Sequence, residues 1–370
     1  MKKLIISLVL VLSASVTFSQ VDFKQGTMFE ILCQAKEQNK IIMVDVMTEW
    51  CKWCVELDNK VYSKSEIYDF ANANQVNYKI DAEKGEGVFF AKWYKVQGYP
   101  TILFIDANGK EIDRIYGYVP LKDFKEMMTD YNKGINTYEY LKNSIAKNPK
   151  NIELSLKLAD KYSMYGENDK AKERLNYIIK LDPENEKGKT DDAKFRLIMF
   201  AERDKKAQEL EAFIKENSSS DQLRDAYASI AETYYFDVND EAASEKWYKE
   251  AFAKFPNDEM LNSSYGQILN AKANALADKK YTAEDSAKGE INTGKYDEDY
   301  KKGLGLIDQA LPYTKGSVNE ASSYYIQSRL LYRLKEYPKA LESINKALVI
   351  FDRKLYRDLK DAVEKQLSSN

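Results

Sequence analysis

The chain changes its hydrophobic pattern once, near residues 132–136, and this change constrains the fold more than any other feature of the sequence. Before it, short apolar runs alternate with helical stretches. After it, apolar residues recur at helical spacing among many Ala, Leu, Lys, Glu and Tyr residues. The sequence therefore predicts an α/β domain over residues 20–135 and an all-α region over residues 136–370.

The first region predicts a mixed sheet flanked by helices. Apolar runs rich in Ile and Val predict buried strands, and Asp106-Ala107-Asn108-Gly109 is typical of a hairpin turn. The predicted elements, in chain order, are a helix over 27–39, a strand over 41–46, a helix over 51–62, strands over 76–80, 101–105 and 111–116, and a helix over 121–131. Strands joined both by helices and by a hairpin give a sheet with parallel and antiparallel pairs.

The second region contains a repeat. Asn148-Pro149 and Asp182-Pro183 lie 34 residues apart, and small and large residues between them fall at offsets that let antiparallel helix pairs pack and stack. The residues at these offsets are Leu158, Ala159, Tyr162, Ala171, Leu175 and Pro183, then Ile230, Ala231, Tyr234, Ser244, Tyr248, Ala251 and Pro256, then Tyr337, Ala340, Ile344 and Ala347. The region resembles tetratricopeptide repeats, with weaker pairs around 190–217 and 258–311. A helical bundle without stacking is the alternative, and sparse apolar residues predict an exposed insertion near 278–299.

The N-terminus is typical of a secretory signal peptide over residues 1–19. Two lysines precede an apolar run over residues 4–16, which is shorter than the roughly 20 residues of a membrane span. An uncleaved anchor is the alternative. We therefore expect a secreted protein, located in a bacterial periplasm. That compartment oxidises thiols, so a cysteine retained there is expected to form a disulfide or to take part in redox chemistry.

Composition narrows the chemistry to few classes. The chain has 3 cysteines and no histidine, which excludes Ser-His-Asp and Cys-His nucleophiles and any His-ligated metal. Its formal net charge of −3 gives no reason to expect a nucleic-acid partner. No cofactor is predicted beyond a redox-active cysteine pair.

That pair lies in Trp50-Cys51-Lys52-Trp53-Cys54, directly after a predicted buried strand and at the start of a helix. Backbone N–H groups at a helix N-terminus stabilise a thiolate, and the charge of Lys52 adds to this effect. We expect Cys51, at an exposed strand–helix junction, to be the attacking sulfur. Cys54 lies one turn further on the same face and can resolve a mixed disulfide. Half of a metal site is the alternative, but no second pair or histidine completes it, so no metal is predicted.

The motif and its surroundings resemble the thioredoxin superfamily over about residues 22–131, in particular secreted thioredoxin-like domains that end membrane-fed disulfide reductases. Asp45 lies within an apolar strand where the family holds a buried carboxylate, and Trp50 matches the aromatic residue before the first cysteine. Gly98-Tyr99-Pro100-Thr101 matches the family's cis-proline loop. The resemblance implies an α/β thioredoxin-like domain followed by all-α, tetratricopeptide-like repeats.

The resemblance also implies roles for these residues. Asp45 would handle the proton of Cys54, and a cis Pro100 would pack against the disulfide and shape the substrate groove. The backbone of Tyr99 would pair with a client segment held as an added strand. The predicted groove residues are Trp50, Lys52, Trp53, Tyr99 and Thr101.

Two further residues carry expectations. Asn77 stands where many thioredoxins place a lysine near the buried acid, so the pKa of Asp45 is expected to be tuned differently. Cys33, beside Leu32 and Phe29 on the first helix, is expected to be a buried, inert thiol.

The leading hypothesis is an extracytoplasmic protein disulfide oxidoreductase, most simply a reductase. Its partners would be client proteins with thiols or disulfides, a membrane electron donor, and a protein bound at the repeats. The rival hypothesis is an envelope scaffold or adaptor in which the thioredoxin-like domain is mainly a docking module. It predicts that the cysteine pair is dispensable.

Overall fold

The computed structural model describes residues 20–280 and 294–369. The predicted signal peptide at 1–19 and residues 281–293 of the predicted insertion lie outside the described residues. In the described part of that insertion, a helix already begins at Asp297. None of the described helices is both long and apolar enough to cross a membrane.

A five-stranded sheet forms the centre of the first region. Its strand order is β1-β3-β2-β4-β5, with β1 and β2 parallel to β3, and β4 antiparallel to both β2 and β5. Its elements are β1 (Phe23–Lys24), α1 (Met28–Gln38), β2 (Ile41–Met47), α2 (Lys52–Leu57), α3 (Ser65–Asn74), β3 (Gln75–Asp81), α4 (Gly87–Trp93), β4 (Thr101–Ile105), β5 (Glu111–Tyr116) and α5 (Leu121–Asn132). A π-helical turn over Asp58–Tyr62 continues α2.

Each face of the sheet is covered by its own hydrophobic cluster. Met43 packs with residues of α2, the π-helical turn, α3 and α5, whereas Val44 packs with residues of α1 and α4. Successive residues of a strand point to opposite faces. Asp45, two residues after Met43, therefore faces the side that carries α2.

The rest of the described chain is a series of antiparallel helices. They are α6 (Tyr138–Lys147), α7 (Ile152–Met164), α8 (Asn168–Leu181), α9 (Thr190–Ile198), α10 (Arg203–Glu216), α11 (Leu223–Thr233), α12 (Glu241–Lys254), α13 (Glu259–Ala277), α14 (Asp297–Thr314), α15 (Val318–Arg333), α16 (Tyr337–Ile350) and α17 (Lys354–Ser369). Neighbouring helices pack in sequence, for example α7 on α8 and α15 on α16. The predicted fold class, an α/β domain followed by all-α repeats, is confirmed.

The first repeat helices are joined to the edge strand β5 by a buried polar cluster. Asp113 is fully buried, and its carboxylate accepts from Lys161 Nζ at 2.5 Å and from the backbone N–H of Tyr138 at 2.6 Å. On the same strand, Glu111 accepts from the hydroxyl of Tyr165 at 2.8 Å. A buried charge needs a partner, so this cluster fixes where the repeats begin on the sheet.

Candidate active site

The cysteine pair lies where the central strand β2 leads into α2. Cys51 and Cys54 form a disulfide with a Cα–Cα distance of 5.3 Å. Cys51 is the N-cap residue of α2, and its Sγ accepts from the backbone N–H of Cys54 at 3.1 Å. A sulfur in this position can accept hydrogen bonds from the unsatisfied N–H groups of the first turn. These hydrogen bonds stabilise the thiolate that forms after reduction.

The expectation that Cys51 is exposed is wrong. Only 4% of its surface is accessible, and 2% of that of Cys54. Neither cysteine belongs to the two hydrophobic clusters that cover the sheet. The helix that carries the pair also contacts the repeats, because α15 packs against α2.

Three residues of α2 contact the repeats directly. Lys52 Nζ donates to Asn319 Oδ1 at 2.9 Å. Glu56, 3% exposed, accepts from the backbone N–H of Val318 at 2.7 Å. Val55 packs against the hydrophobic cluster formed by α15, α16 and α17. Burial lowers the pKa of Lys52, although the charge of Glu56 opposes this shift.

The two tryptophans lie beside the disulfide with partly exposed rings. Trp50 is 50% exposed, makes an edge-to-face contact with Tyr99 at 5.8 Å between ring centroids, and donates from Nε1 to Glu83 at 3.0 Å. Trp53 is 37% exposed and stacks on Tyr118 at 5.7 Å. These rings leave an aromatic opening on one side of the cysteine pair.

The loop before β4 has the geometry that the resemblance implies. The Tyr99–Pro100 peptide bond is cis, and the carbonyl oxygen of Pro100 accepts from the N–H of Gly117 at 2.8 Å. The hydroxyl of Thr101, which is fully buried, donates to the carbonyl of Gly98 at 2.7 Å. The predicted groove residues therefore differ in position. Trp50, Trp53 and Tyr99 are accessible in part, Thr101 supports the loop from within, and Lys52 is bound to Asn319 of the repeats.

Asp45 is fully buried and has a lysine partner that the sequence analysis does not predict. Lys79 is directly opposite Asp45 in the β2–β3 register, with its Nζ 3.1 Å from Asp45 Oδ2. The same Nζ lies 2.5 Å from Asp58 Oδ1, whose side chain is 44% exposed. Asn77, the residue expected to replace the lysine, instead donates to the side chain of Asn72.

These charges shift one another's pKa values. Burial raises the pKa of Asp45; the positive charge of Lys79 lowers it, and burial outweighs that charge. Burial lowers the pKa of Lys79, but Asp45 and Asp58 together raise it above its usual value. Burial therefore favours the protonated form of the Asp45 carboxyl more than it is favoured in water.

Cys33 is a free and exposed thiol, so the expectation of a buried thiol is wrong. On α1 the core-facing residues are Ile31 and Ala35. Cys33 is two positions from each of them, about 200° around the helix axis. Its side chain therefore faces solvent, beside Phe29, which is 73% exposed.

Sequence reasoning missed three residues of the site: Lys79, Glu56 and Asn319. The β2–β3 register places Lys79 opposite Asp45. The hydrophobic pattern of the sequence predicts such a register only when the ends of both strands are known. Asn319 follows Lys52 by 267 residues, and no local pattern joins them. Among the described residues, no group of three or more Cys, Asp or Glu side chains could hold a metal ion.

The fold and the cysteine pair define the class of protein. It has a thioredoxin-like domain with a Cys-x-x-Cys disulfide at the start of a helix, and tetratricopeptide-like helical repeats follow that domain.

Comparison with known proteins agrees with this class. Residues 28–132 match the model of the thioredoxin-like domain family. The chain is 33% identical over 107 residues to the thiol:disulfide interchange protein DsbD of Pseudoalteromonas atlantica, covering 28% of this chain and 17% of that protein. It is 29% identical over 101 residues to the disulfide bond reductase DsbH of Chlamydia pneumoniae, covering 25% of this chain and 60% of that protein.

The chain thus spans less than two thirds of the length of either relative. Among solved structures, a tetratricopeptide repeat protein from Parabacteroides merdae is similar with 13% identity and a TM-score of 0.36, covering 66% of this chain and 82% of that chain.

Proposed function

We propose that this protein is an extracytoplasmic reductase of protein disulfides. The observation that carries the proposal is the Cys51–Cys54 disulfide at the start of α2, with a cis Pro100 in the neighbouring loop. The DsbH relative bears the name of a disulfide bond reductase, and this supports the direction.

The proposed reaction transfers two electrons from the dithiol to a client disulfide. The thiolate of Cys51 attacks one client sulfur, which forms a mixed disulfide and releases the other client sulfur as a thiolate. Cys54, as a thiolate, then attacks Cys51 Sγ, which closes the Cys51–Cys54 disulfide and releases the second client thiol. The client is reduced and the pair is oxidised, so a dithiol electron donor of the membrane must reduce the pair for the next cycle.

Asp45 is proposed to take the proton of Cys54 during the second step. Its carboxyl is buried on the face of the sheet that carries α2, and burial raises its pKa, which strengthens it as a proton acceptor. Lys79 connects it to the partly exposed Asp58. The chain of charges gives a route for the proton towards solvent.

The groove is proposed to hold an extended client segment against the loop that contains Tyr99 and Pro100. Added strands bind through backbone hydrogen bonds, which tolerate many client sequences. The repeats are proposed to bind a protein partner, which raises the local concentration of a client near Cys51. The proposed compartment is the bacterial periplasm.

The reduction potential tests the proposed direction. Equilibration of the full chain with glutathione buffers is expected to give a potential near about −270 mV, as in reducing thioredoxins. The fraction of oxidised protein is measured by alkylation and mass spectrometry. A potential near about −120 mV would assign the pair to oxidation of clients instead.

Replacing Asp45 with Asn tests the proton step. Loss of a positioned proton acceptor is expected to slow resolution of the mixed disulfide by about 100-fold at pH 7. Single-turnover reduction of a peptide disulfide, followed by quenched alkylation, gives the rate. Asp69→Asn is the matched control because it removes a carboxylate from an exposed position of α3, outside the proposed proton route. A loss of equal size in both variants would contradict a specific role for Asp45.

The same substitution has an opposite effect on stability. Because burial raises the pKa of Asp45, the folded state holds a proton that the unfolded state has already released. Stability is therefore lost as pH rises above the unfolded value of about 3.9. Asp45→Asn is expected to be more stable than the wild type at pH 8 and of similar stability at pH 3, as measured by urea unfolding.

The scaffold hypothesis is favoured by one observation, the buried contact between β5 and the first repeat helices. A docking module needs a contact that holds the domain in place on the repeats, and it needs no disulfide. The two hypotheses differ in a chain that carries Cys51→Ser and Cys54→Ser together. A scaffold keeps its cellular role in that chain, and a reductase loses it.

A further inference from the structure

The repeats contact the α/β domain at a second place, far along the chain from the first. The N-terminus of α15 lies on α2, and it brings residues 318–321 to the helix that bears the cysteine pair. A chain of helices that begins on β5 thus returns to the redox helix near its other end. This return contact differs from a flexible tether, which would leave α2 in solvent.

The contact lies on the side of α2 next to the attacking sulfur. At about 100° per residue, Cys51, Val55, Lys52 and Glu56 fall in that order within an arc of about 140°. Val55, Lys52 and Glu56 each contact the repeats. Cys51 is at the edge of the same arc, next to Val55, and is 4% exposed.

The contact has specific chemistry at both of its polar points. Glu56 accepts the N–H of Val318, the first residue of α15, so its negative charge lies at the positive end of that helix. Asn319, 2% exposed, accepts from the ammonium group of Lys52, the residue next to Cys51. Glu56 and Asn319 are buried and Lys52 is partly buried, so opening the contact exposes these polar groups to water.

The contact is also connected to the inner part of the repeats. Asn319 Nδ2 donates to the hydroxyl of Ser263, and the carbonyl of Asn319 accepts from the side chain of Asn270. Both partners are on α13. Movement of α13 relative to α15 would therefore disturb the residue that holds Lys52.

We propose that the N-terminus of α15 is an intramolecular cover of the redox site, and that it must leave α2 before a protein-sized client or donor reaches Cys51. This inference rests on the proposed function for its biological meaning. In the covered state the pair meets only small reagents that enter from the side of Trp50 and Tyr99. The apparent affinity for a protein client is lowered by the fraction of molecules that are open.

The rate at which added reductants reduce the Cys51–Cys54 disulfide tests the cover. The full chain is mixed with dithiothreitol or with a reduced thioredoxin as the protein-sized dithiol, and reduction is followed by quenched alkylation. A disulfide-bonded peptide of residues 49–56 is the uncovered reference. With thioredoxin as reductant, the disulfide of the wild type is expected to be reduced at least 100-fold more slowly than that of the peptide. With dithiothreitol, the difference in rate between the peptide and the wild type is expected to be smaller.

Asn319→Lys opens the cover from the repeat side and leaves every residue of α2 unchanged. It replaces the acceptor of Lys52 with a second ammonium group, and like charges at this distance repel. Reduction by thioredoxin is expected to become at least tenfold faster. The matched control is Asn176→Lys on the exposed face of α8, which is expected to stay within twofold of the wild type. Asn319→Ala, a milder change, is expected to lie between them.

Two outcomes would overturn the cover. One is a wild-type rate with thioredoxin equal to that of the peptide. The other is an unchanged rate in both Asn319 variants when circular dichroism shows that they are folded. Neither outcome involves turnover of a client, so a failure of the cover is distinct from a failure of the proposed reductase function, which would appear as no client reduction in any variant.

Discussion

Cys51→Ser is expected to abolish reduction of protein disulfides, with a loss of at least about 1000-fold. A serine hydroxyl is not ionised at neutral pH, whereas a thiol at a helix N-terminus is partly a thiolate. Of the two other cysteines, Cys54 lies within α2 and not at its N-cap, and Cys33 lies on the exposed side of α1. The measurement is turnover of a client protein disulfide by the full chain with dithiothreitol as electron donor.

Cys54→Ser is expected to stop the same reaction one step later. Cys51 still attacks, but no thiol remains to displace the client, so a mixed disulfide accumulates. Mass spectrometry of the non-reduced protein detects it as the sum of the two masses. Both experiments belong in a Cys33→Ser background because the exposed Cys33 reacts with disulfides on its own.

Cys33→Ser alone is the matched control and is expected to stay within twofold of the wild type. More than a tenth of wild-type turnover in Cys51→Ser would remove Cys51 from the proposed role. Accumulation of a mixed disulfide in Cys51→Ser, but not in Cys54→Ser, would exchange the roles of the two cysteines.

The elements that local patterns define could be predicted from the sequence. The apolar runs of β2, β3 and β4, the hairpin turn and the 34-residue repeat each depend on residues close together in the chain. The strand β1, with only two residues, has no periodicity to detect, and the π-helical turn after α2 conceals the start of α3.

The errors concern contacts between distant parts of the chain. Lys79 contacts Asp45 because β2 and β3 pair in one particular register. The sequence analysis assigns the position near Asp45 to Asn77, which is two residues before Lys79. Lys52 contacts Asn319 of α15, 267 residues later in the chain, and no local pattern predicts that contact. Cys33 was misplaced by its apolar neighbours, although the positions of Ile31 and Ala35 determine which side of α1 faces the sheet.

The two contacts between the repeats and the domain differ in chemistry, and this difference assigns them different roles. At β5 the contact contains a buried ion pair between the oppositely charged Lys161 and Asp113. At α2 it contains a carboxylate at a helix N-terminus and an amide beside an ammonium group. When the first contact breaks, the fully buried Asp113 loses its charge partner, whereas Glu56 keeps its ion pair with Lys60 when the second contact opens. The first contact is therefore expected to persist while the second opens.

Lys161→Met is expected to destabilise the protein by about 3–5 kcal/mol, because it leaves the fully buried Asp113 without its charge partner. Met keeps most of the volume of the side chain, so the loss reports the charge. Unfolding in urea at pH 7, followed by circular dichroism, gives the free energy. The matched control is Lys170→Met, which breaks an exposed pair with Glu167 and is expected to cost less than about 1 kcal/mol.

The pH dependence separates a charge effect from a packing effect. Burial raises the pKa of Asp113, and the positive charge of Lys161 opposes that rise more than any other group does. Removal of Lys161 therefore raises the pKa of Asp113 further. The folded variant then keeps a proton that the unfolded chain loses above about pH 3.9, and stability falls as pH rises. The difference between variant and wild type is expected to be smallest near pH 4 and largest above pH 7. A difference that does not change with pH would show that Lys161 acts through packing, and Lys161→Met combined with Asp113→Asn would then fail to recover the lost stability.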